Sequence, residues 1–390
     1  MARCRSHEMF NSEAGLLSDL TRASGASRLE PDMTNFLYDI LRQPTELERS
    51  LAYLNGPANQ AMKSAVSIIQ SARHVFLTGI GSSWHAALTA AAIFNRAGQP
   101  VYLSDAAELL HFSELPPDAV VVMISRTGRS IEIVQLLDKT RRAGAKVIAI
   151  TNSKEGSLAT EADVSIVVPI DFDHGISVNT YSTLALAAGV LASHVAGTFT
   201  ESIEHSLSVA IGRVRDAIPV WRKQLENTRW LDAGRPYYFL GRGSSLGTCN
   251  EVRLLWEEGV KSPACAMGTG AFRHGPQEIV AEEIRFGIWI DSEKMRNQDL
   301  AVSHDLRQLG ASVMMIGQQL PPGSADLVFE LPSIPSAWQF VIDAIPAQLA
   351  AECLSRKAGV DCDTFRLCSY IVEGDSGLLP TSVTTSEHGV

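Results

Sequence analysis

The chain has no CxxC pair among its cysteines, no apolar run long enough to cross a bilayer and no excess of basic residues. Each absence removes a class of protein. Its six cysteines, Cys4, Cys249, Cys265, Cys353, Cys362 and Cys368, are scattered, so metal and thiol-redox spacings are missing. Buried free thiols are expected, with no metal and no cofactor. A bilayer span needs roughly 18–20 consecutive apolar residues, and the opening MARCRSHEMFNSEAGLLSDL lacks the apolar core of a secretory signal. The expectation is a cytoplasmic protein with no membrane partner. Lys and Arg number 33 against 43 Asp and Glu, a net charge of −10, which argues against nucleic acid as a partner. A small phosphate ester is still allowed, because it needs only one local nest of donors. A dinucleotide fingerprint starts at Gly79-x-Gly81 but has Trp84 where its third glycine belongs, and no P-loop lysine follows.

What is present reads as one pattern written twice. A length of 390 residues suits two domains of comparable size. Residues 1–32 show no sustained period and are expected to form a flexible arm. Helical spacing of Phe36, Ile40 and Leu41 follows, with Pro44 expected to break or restart that helix. Strands are expected at His74–Thr78, Ala119–Ile124, Lys146–Ile150 and Val164–Val168, alternating with amphipathic helices. The second half repeats this order: Tyr237–Ser245 echoes the first strand and its turn, and Ala325–Val328 echoes Ala162–Ser165 at the same offset of 163 residues. Gln308–Val313 echoes Arg142–Val147 at a nearby offset. This predicts an α/β chain of two tandem doubly wound, flavodoxin-like halves with parallel sheets. The boundaries fall at 33–205 and 206–373, joined near 200–232, with a C-terminal tail at 374–390.

In such sheets ligands bind beyond the carboxyl ends of the strands. Two of the first half's strands end there in small hydroxyl residues and glycine: Gly81-Ser82-Ser83, and Ser125-Arg126-Thr127-Gly128-Arg129-Ser130. Helix N-termini carry free N–H groups and partial positive charge, which suit a phosphate monoester. Each cluster could instead simply cap its helix. In the second half, Glu251 to Val260 reads as a helix with Glu251 and Glu258 seven residues apart on one face. His274 follows in a Phe-Arg-His-Gly-Pro turn. A carboxylate and an imidazole are what proton transfer beside a sugar carbonyl requires.

These motifs resemble the sugar-isomerase (SIS) superfamily, and most of all the isomerase portion of glucosamine-6-phosphate synthase, the stand-alone amino-sugar-phosphate deaminase/isomerases and the fructosamine-6-phosphate deglycases. The resemblance runs from about Met33 to Glu373. It implies that Gly81, Ser82, Ser83, Ser125, Arg126, Thr127, Gly128 and Ser130 hold the phosphate of a small-molecule sugar phosphate. Gly175–Thr180, with Ser177 and Asn179, takes the place of a later substrate loop. Glu258, sixteen residues before His274, then moves a proton between the sugar's first two carbons. His274 assists ring opening in the neighbouring subunit's site, and Glu251 matches a glutamate earlier on the same helix. A homodimer with a shared active site is implied. The synthase's near-C-terminal lysine falls on Tyr370 in one register and on Thr381 in another, so Tyr370 is a residue of open role. Arg126 stands where the family has glutamine, either as a phosphate ligand or as a solvated arginine. No counterpart of the synthase's glutaminase domain is read here, so ammonia from glutamine is not expected. The expected activity is aldose–ketose isomerisation, deamination or deglycation of an amino-sugar or amine-linked sugar 6-phosphate. The rival is a non-catalytic sugar-phosphate-binding regulatory protein.

Overall fold

The computed structural model describes residues 33–375 together with 377 and 378. The expectations for residues 1–32, for Cys4 and for Thr381 fall outside them. Two helices, α1 (Asn35–Asn55) and α2 (Asn59–Ser71), precede the first sheet. Then come β1 (His74–Thr78), α3 (Ser82–Arg96), β2 (Tyr102–Leu103), α4 (Ala106–Phe112), β3 (Ala119–Ser125), α5 (Ile131–Arg142), β4 (Lys146–Thr151), α6 (Ser157–Glu161) and β5 (Val164–Val167). Helices α7 (Asn179–Val195) and α8 (Glu201–Glu226) lead to the second sheet. It is built from β6 (Tyr237–Gly241), α9 (Ser245–Leu255), β7 (Ala264–Gly268), α10 (Thr269–Phe272), β8 (Arg285–Trp289), α11 (Arg296–Gln308), β9 (Ser312–Gly317) and β10 (Leu327–Glu330), and α12 (Ile345–Ala358) closes the series.

Every strand pair is parallel, with Phe76 opposite Val121 in one sheet and Phe239 opposite Gly287 in the other. The sheets run β2-β1-β3-β4-β5 and β10-β9-β8-β6-β7. Numbered from the start of each half, both read 2-1-3-4-5, the flavodoxin-like doubly wound order. Chain direction across the sheet therefore reverses between β1 and β3, and again between β6 and β8. Strand β3, Ala-Val-Val-Val-Met-Ile-Ser, is buried at every position, as a central parallel strand covered on both faces must be. Strands β2, β7 and β8 were not anticipated from the sequence; β2 spans only two residues, and β7, Ala-Cys-Ala-Met-Gly, carries no β-branched residue.

One expectation about helices fails here. Pro44 neither breaks nor restarts α1, which runs unbroken through it. An interior proline costs about 3 kcal/mol. Burying Ile40, Leu47, Leu51 and Leu54 in the same helix contributes roughly 1.5–3 kcal/mol each, so the proline is outweighed. The link near 200–232 is filled mostly by α8, a 26-residue helix with Pro219 inside. Helix α7 has almost no exposed position, the mark of a helix buried on all sides. The sheets of both halves lie within one compact unit that begins at Asn35.

Candidate active site

The carboxyl ends of β1 and β3, where the first sheet reverses, open into a cavity of about 230 Å³. The turn after β1 contributes Gly81, Ser82 and Ser83, and the turn after β3 contributes Ser125, Arg126, Thr127 and Ser130. These are the two expected clusters, and both lie at helix starts: Ser82 and Ser83 open α3, and Ser130 precedes Ile131 of α5. The hydroxyls of Ser82, Ser83 and Ser130 have no hydrogen-bond partner among the described residues, so they are not spent on capping. Gly128 does not line the cavity; it shapes it. Its N–H donates to the Ser125 hydroxyl at 3.1 Å, and its φ of +66° is one that side-chain-bearing residues rarely adopt.

The loop before α7 adds Ser177 and Thr180. The Thr180 hydroxyl is buried and has no hydrogen-bond partner among the described residues. Asn179 differs from expectation: it is fully buried, and its amide donates to the Asp39 carbonyl at 3.0 Å and to the Asp173 carboxylate at 2.8 Å. Asp173 also accepts from the backbone N–H groups of Val178, Asn179 and Thr180. Asn179 therefore helps fix the loop that presents Ser177 and Thr180.

The two glutamates take different places. Glu251, in α9, is fully buried with one oxygen 2.7 Å from His85 Nδ1 of α3. Glu258 lines the cavity. The expected single helix from 251 to 260 is α-helical only to Leu255; Trp256–Val260 is a π-helical segment. Trp256 is fully buried among Trp230, Tyr237 and Phe239, with ring centroids 6.0, 4.8 and 5.0 Å away. The wider turn keeps that indole in the core while Glu258 faces the cavity, a common use of π segments. It ends at Lys261, in the left-handed region, whose ammonium reaches the Glu258 and Thr364 carbonyls. The Glu258 carboxyl is pushed up to about 8, chiefly by burial and then by the nearby Glu251, against the opposing pull of Lys261 and Arg126. An acid with that value exchanges protons near neutral pH.

His274 lies elsewhere. It is exposed in the turn between α10 and the short helix Pro276–Ile279, and it is absent from the cavity lining. The chain brings Glu258 and the phosphate-type turns together, and leaves His274 outside.

The sequence reading missed the cover. Residues 368–372 return from the C-terminal side and line the cavity. The Arg126 guanidinium stacks 3.7 Å from the Tyr370 ring centroid and donates to the Tyr370 carbonyl at 2.6 Å. The Tyr370 hydroxyl donates to the Asp173 carbonyl at 2.8 Å, and Ile131 N–H bonds the Val372 carbonyl at 3.0 Å. Arg126 thus clasps the C-terminal segment through one N–H and its stacked face. Burial raises the Tyr370 hydroxyl above its ordinary value. Of the cysteines expected to be buried, Cys249, Cys353 and Cys362 are, Cys265 is half-buried, and Cys368 is exposed on the strap beside Glu258. His85 and Glu132 also escaped the sequence reading; Glu132 lines the cavity, and His85 meets Glu251 across 166 residues, a separation no local pattern signals. Among the described residues no helix is long and apolar enough to cross a membrane, and no cluster of metal-ligating side chains occurs.

Comparison with known proteins agrees with this fold. Residues 68–193 match the family model described as SIS domain. The glutamine–fructose-6-phosphate aminotransferase [isomerizing] of Pyrobaculum aerophilum is 26% identical over 84% of this chain and 55% of its own. That of Pyrococcus horikoshii is 24% identical over 81% and 53%. The chain therefore spans about half the length of the curated relatives it matches. Among solved structures, the C-terminal domain of glucosamine-fructose-6-phosphate aminotransferase from Francisella tularensis superposes with a TM-score of 0.75 at 18% identity, covering 87% of this chain and 99% of that one. Glucosamine-6-phosphate deaminase from Thermotoga maritima gives 0.72 at 23%, with coverage of 87% and 99%. Tagatose-6-phosphate ketose/aldose isomerase from Escherichia coli gives 0.74 at 17%, with coverage of 87% and 97%. The chain carries a SIS domain at residues 68–193, and in sequence and fold it resembles the sugar-isomerase superfamily.

Proposed function

We propose that the chain is a phosphosugar isomerase-type enzyme acting on an amino-sugar or amine-linked sugar 6-phosphate, with Glu258 as its acid–base group. One observation carries the reading. A carboxyl pushed up to about 8 shares a 230 Å³ cavity with two hydroxyl-rich turns at helix N-termini.

In this reading the phosphate sits against Ser82, Ser83, Ser125, Thr127 and Ser130, where free N–H groups and hydroxyls donate to it. Anchoring the phosphate holds the far end of the open-chain sugar against Glu258. The Glu258 carboxylate removes a proton from the carbon beside the carbonyl, or beside the imine of an amine-linked sugar. The C–H electron pair becomes the carbon–carbon double bond as the carbonyl oxygen or imine nitrogen takes a proton from water, giving an enediol or enolamine. The protonated carboxyl then returns the proton to the neighbouring carbon while the hydroxyl or amine on the first carbon gives its proton to water and becomes the new carbonyl or imine, which completes isomerisation. Hydrolysis of the rearranged imine would release the amine, giving deamination or deglycation. Tyr370, in the place of the family lysine, serves as the clasp on Arg126 in this scheme.

His274 requires a second copy of the chain. Exposed and away from its own cavity, it is free to reach a partner's cavity in a cytoplasmic homodimer with shared sites. We take residues 33–205 as the half that binds phosphosugar and 206–373 as the half that supplies the acid–base groups. Three relatives, named for transamination, deamination and ketose/aldose isomerisation of sugar 6-phosphates, support this chemistry.

The test is to incubate the purified chain with fructose, glucosamine, galactosamine and fructosamine-type 6-phosphates and to follow each by NMR. Conversion of one member to its isomer, or to sugar and free amine, is the expected result. Saturable binding without turnover across the panel would instead make this a sugar-phosphate-binding regulatory protein.

A further inference from the structure

The second sheet has its own reversal point, and it too opens into a cavity. Beyond the ends of β6 and β8 lies a space of about 360 Å³, within the size range of small-molecule sites. It is the counterpart of the first cavity in topology and in sequence. Gly241-Arg242-Gly243-Ser244-Ser245 follows β6 as Gly79-Ile80-Gly81-Ser82-Ser83 follows β1. Gly243 and Gly81 have φ of +54° and +57°, and each turn opens a helix of more than two turns.

The polar groups around this space are unevenly engaged. The Ser244 residue is only 7% exposed, lines the cavity, and its hydroxyl has no partner among the described residues. It stands at the start of α9, the positive end of that helix, where the N–H groups of Ser245, Leu246 and Gly247 already donate to the carbonyls of Arg242, Gly243 and Ser244. The Ser245 hydroxyl, in contrast, donates to buried Asp343 at 2.7 Å. Three cationic side chains line the walls. Arg242 pairs with Asp299 at 2.7 Å and Arg96 with Glu293 at 2.7 Å, whereas exposed Lys294 has no partner among the described residues. The one carboxylate on the wall, Asp291, accepts from Met295 N–H and from the Ser336 hydroxyl. Carboxylates are thus occupied, while a buried hydroxyl at the positive end of a helix and an ammonium remain open.

We propose that the cavity between the ends of β6 and β8 is a second site, which binds the phosphate of a small phosphorylated sugar without turning it over. The anion follows from the cavity's own groups; the sugar rests on the reading of the first cavity as a phosphosugar site. Lack of turnover follows from a swap between halves. Fifteen residues after Gly243 comes Glu258, at the first cavity; fifteen after Gly81 comes Arg96, at the second. An arginine stands where the acid would be needed. Helices α3 and α9 each touch both cavities, α3 through Ser82 and Arg96, and α9 through Ser245 and Leu254.

Calorimetric titration of the full chain with fructose 6-phosphate at fixed ionic strength tests this. Wild type is expected to take up two molecules per chain. Lys294→Glu, on an exposed side chain, and Ser244→Asp, a residue favoured at helix starts, are expected to leave one, with at least tenfold weaker binding at the lost site. Thr127→Asp is the matching block of the first cavity. One molecule that is lost in Thr127→Asp and retained in both other variants overturns the second site and leaves the first standing. One molecule lost in Lys294→Glu and Ser244→Asp but retained in Thr127→Asp upholds the second site and counts against the first. Uptake unchanged by Lys294→Glu and Ser244→Asp overturns the inference.

Discussion

At the scale of single residues, Glu251 and Glu258 show how far spacing reaches. Seven positions apart, they were read as one face of a helix, and their nearness is real: Glu251 helps raise Glu258. What spacing could not assign was their division of labour, because that depends on His85 from the other half. Two predictions belong here. Glu258 must be ionised to accept a proton, so kcat/KM should rise with pH to a plateau above about 8; a pH–rate profile that is flat through this region contradicts it. The same carboxyl makes stability depend on pH. Its folded value lies above the ordinary 4.5, so between 4.5 and about 8 the folded state holds more protons than the unfolded one and stability declines as pH rises. Glu258→Gln mimics the protonated form. It should be more stable than wild type at pH 8.5, by on the order of 2 kcal/mol, and the gap should close below pH 4.5 in urea unfolding. His85→Leu should act in the opposite direction. Leaving the buried Glu251 carboxyl without its partner is expected to cost about 3–5 kcal/mol, read by the same unfolding curves.

At the scale of elements, the strands with β-branched residues and the helix starts with Gly and Ser were legible, because local sequence sets them. Pro44 misled for the converse reason, since the packing that outweighs it comes from distant segments such as α12, whose Gln348 meets Gln43 at 2.6 Å. The π segment was illegible as well, because it answers to the aromatic cage around Trp256. The contact of α3 with α9, which joins the halves, depends on a residue that has no side chain. A Cβ on Gly247 would lie 2.6 Å from the His85 carbonyl oxygen and 2.6 Å from Thr89 Cγ2. Gly247→Val should therefore force the two helices apart and cost about 1–3 kcal/mol or more. It should also disturb the His85–Glu251 contact and lower activity more than stability alone explains. A thermal-unfolding midpoint equal to wild type would contradict this packing account.

At the scale of the whole molecule, the doubled α/β architecture was readable because repeated patterns at one offset survive in the chain, and the two sheets have the same strand order. The strap formed by residues 368–372 was not readable. Its contacts with Arg126, Asp173 and Ile131 pair groups far apart in sequence, and only the folded chain brings them together. Tyr370→Ala removes both the stacked ring and the hydroxyl tie. It should raise KM several-fold and speed proteolysis within residues 366–375, while leaving the unfolding midpoint within about 1 kcal/mol of wild type. Unchanged KM and protease sensitivity would mean that the strap is not a clasp. The central claim is that Glu258 moves a carbon-bound proton on a sugar phosphate held by the two hydroxyl-rich turns. Its most direct test is solvent exchange: wild type and Glu258→Gln are incubated in D₂O with the phosphosugar that wild type converts, and deuterium at carbons 1 and 2 is followed by NMR. The account predicts deuterium uptake by wild type and at least a hundredfold slower uptake in Glu258→Gln; equal uptake by the two would contradict it.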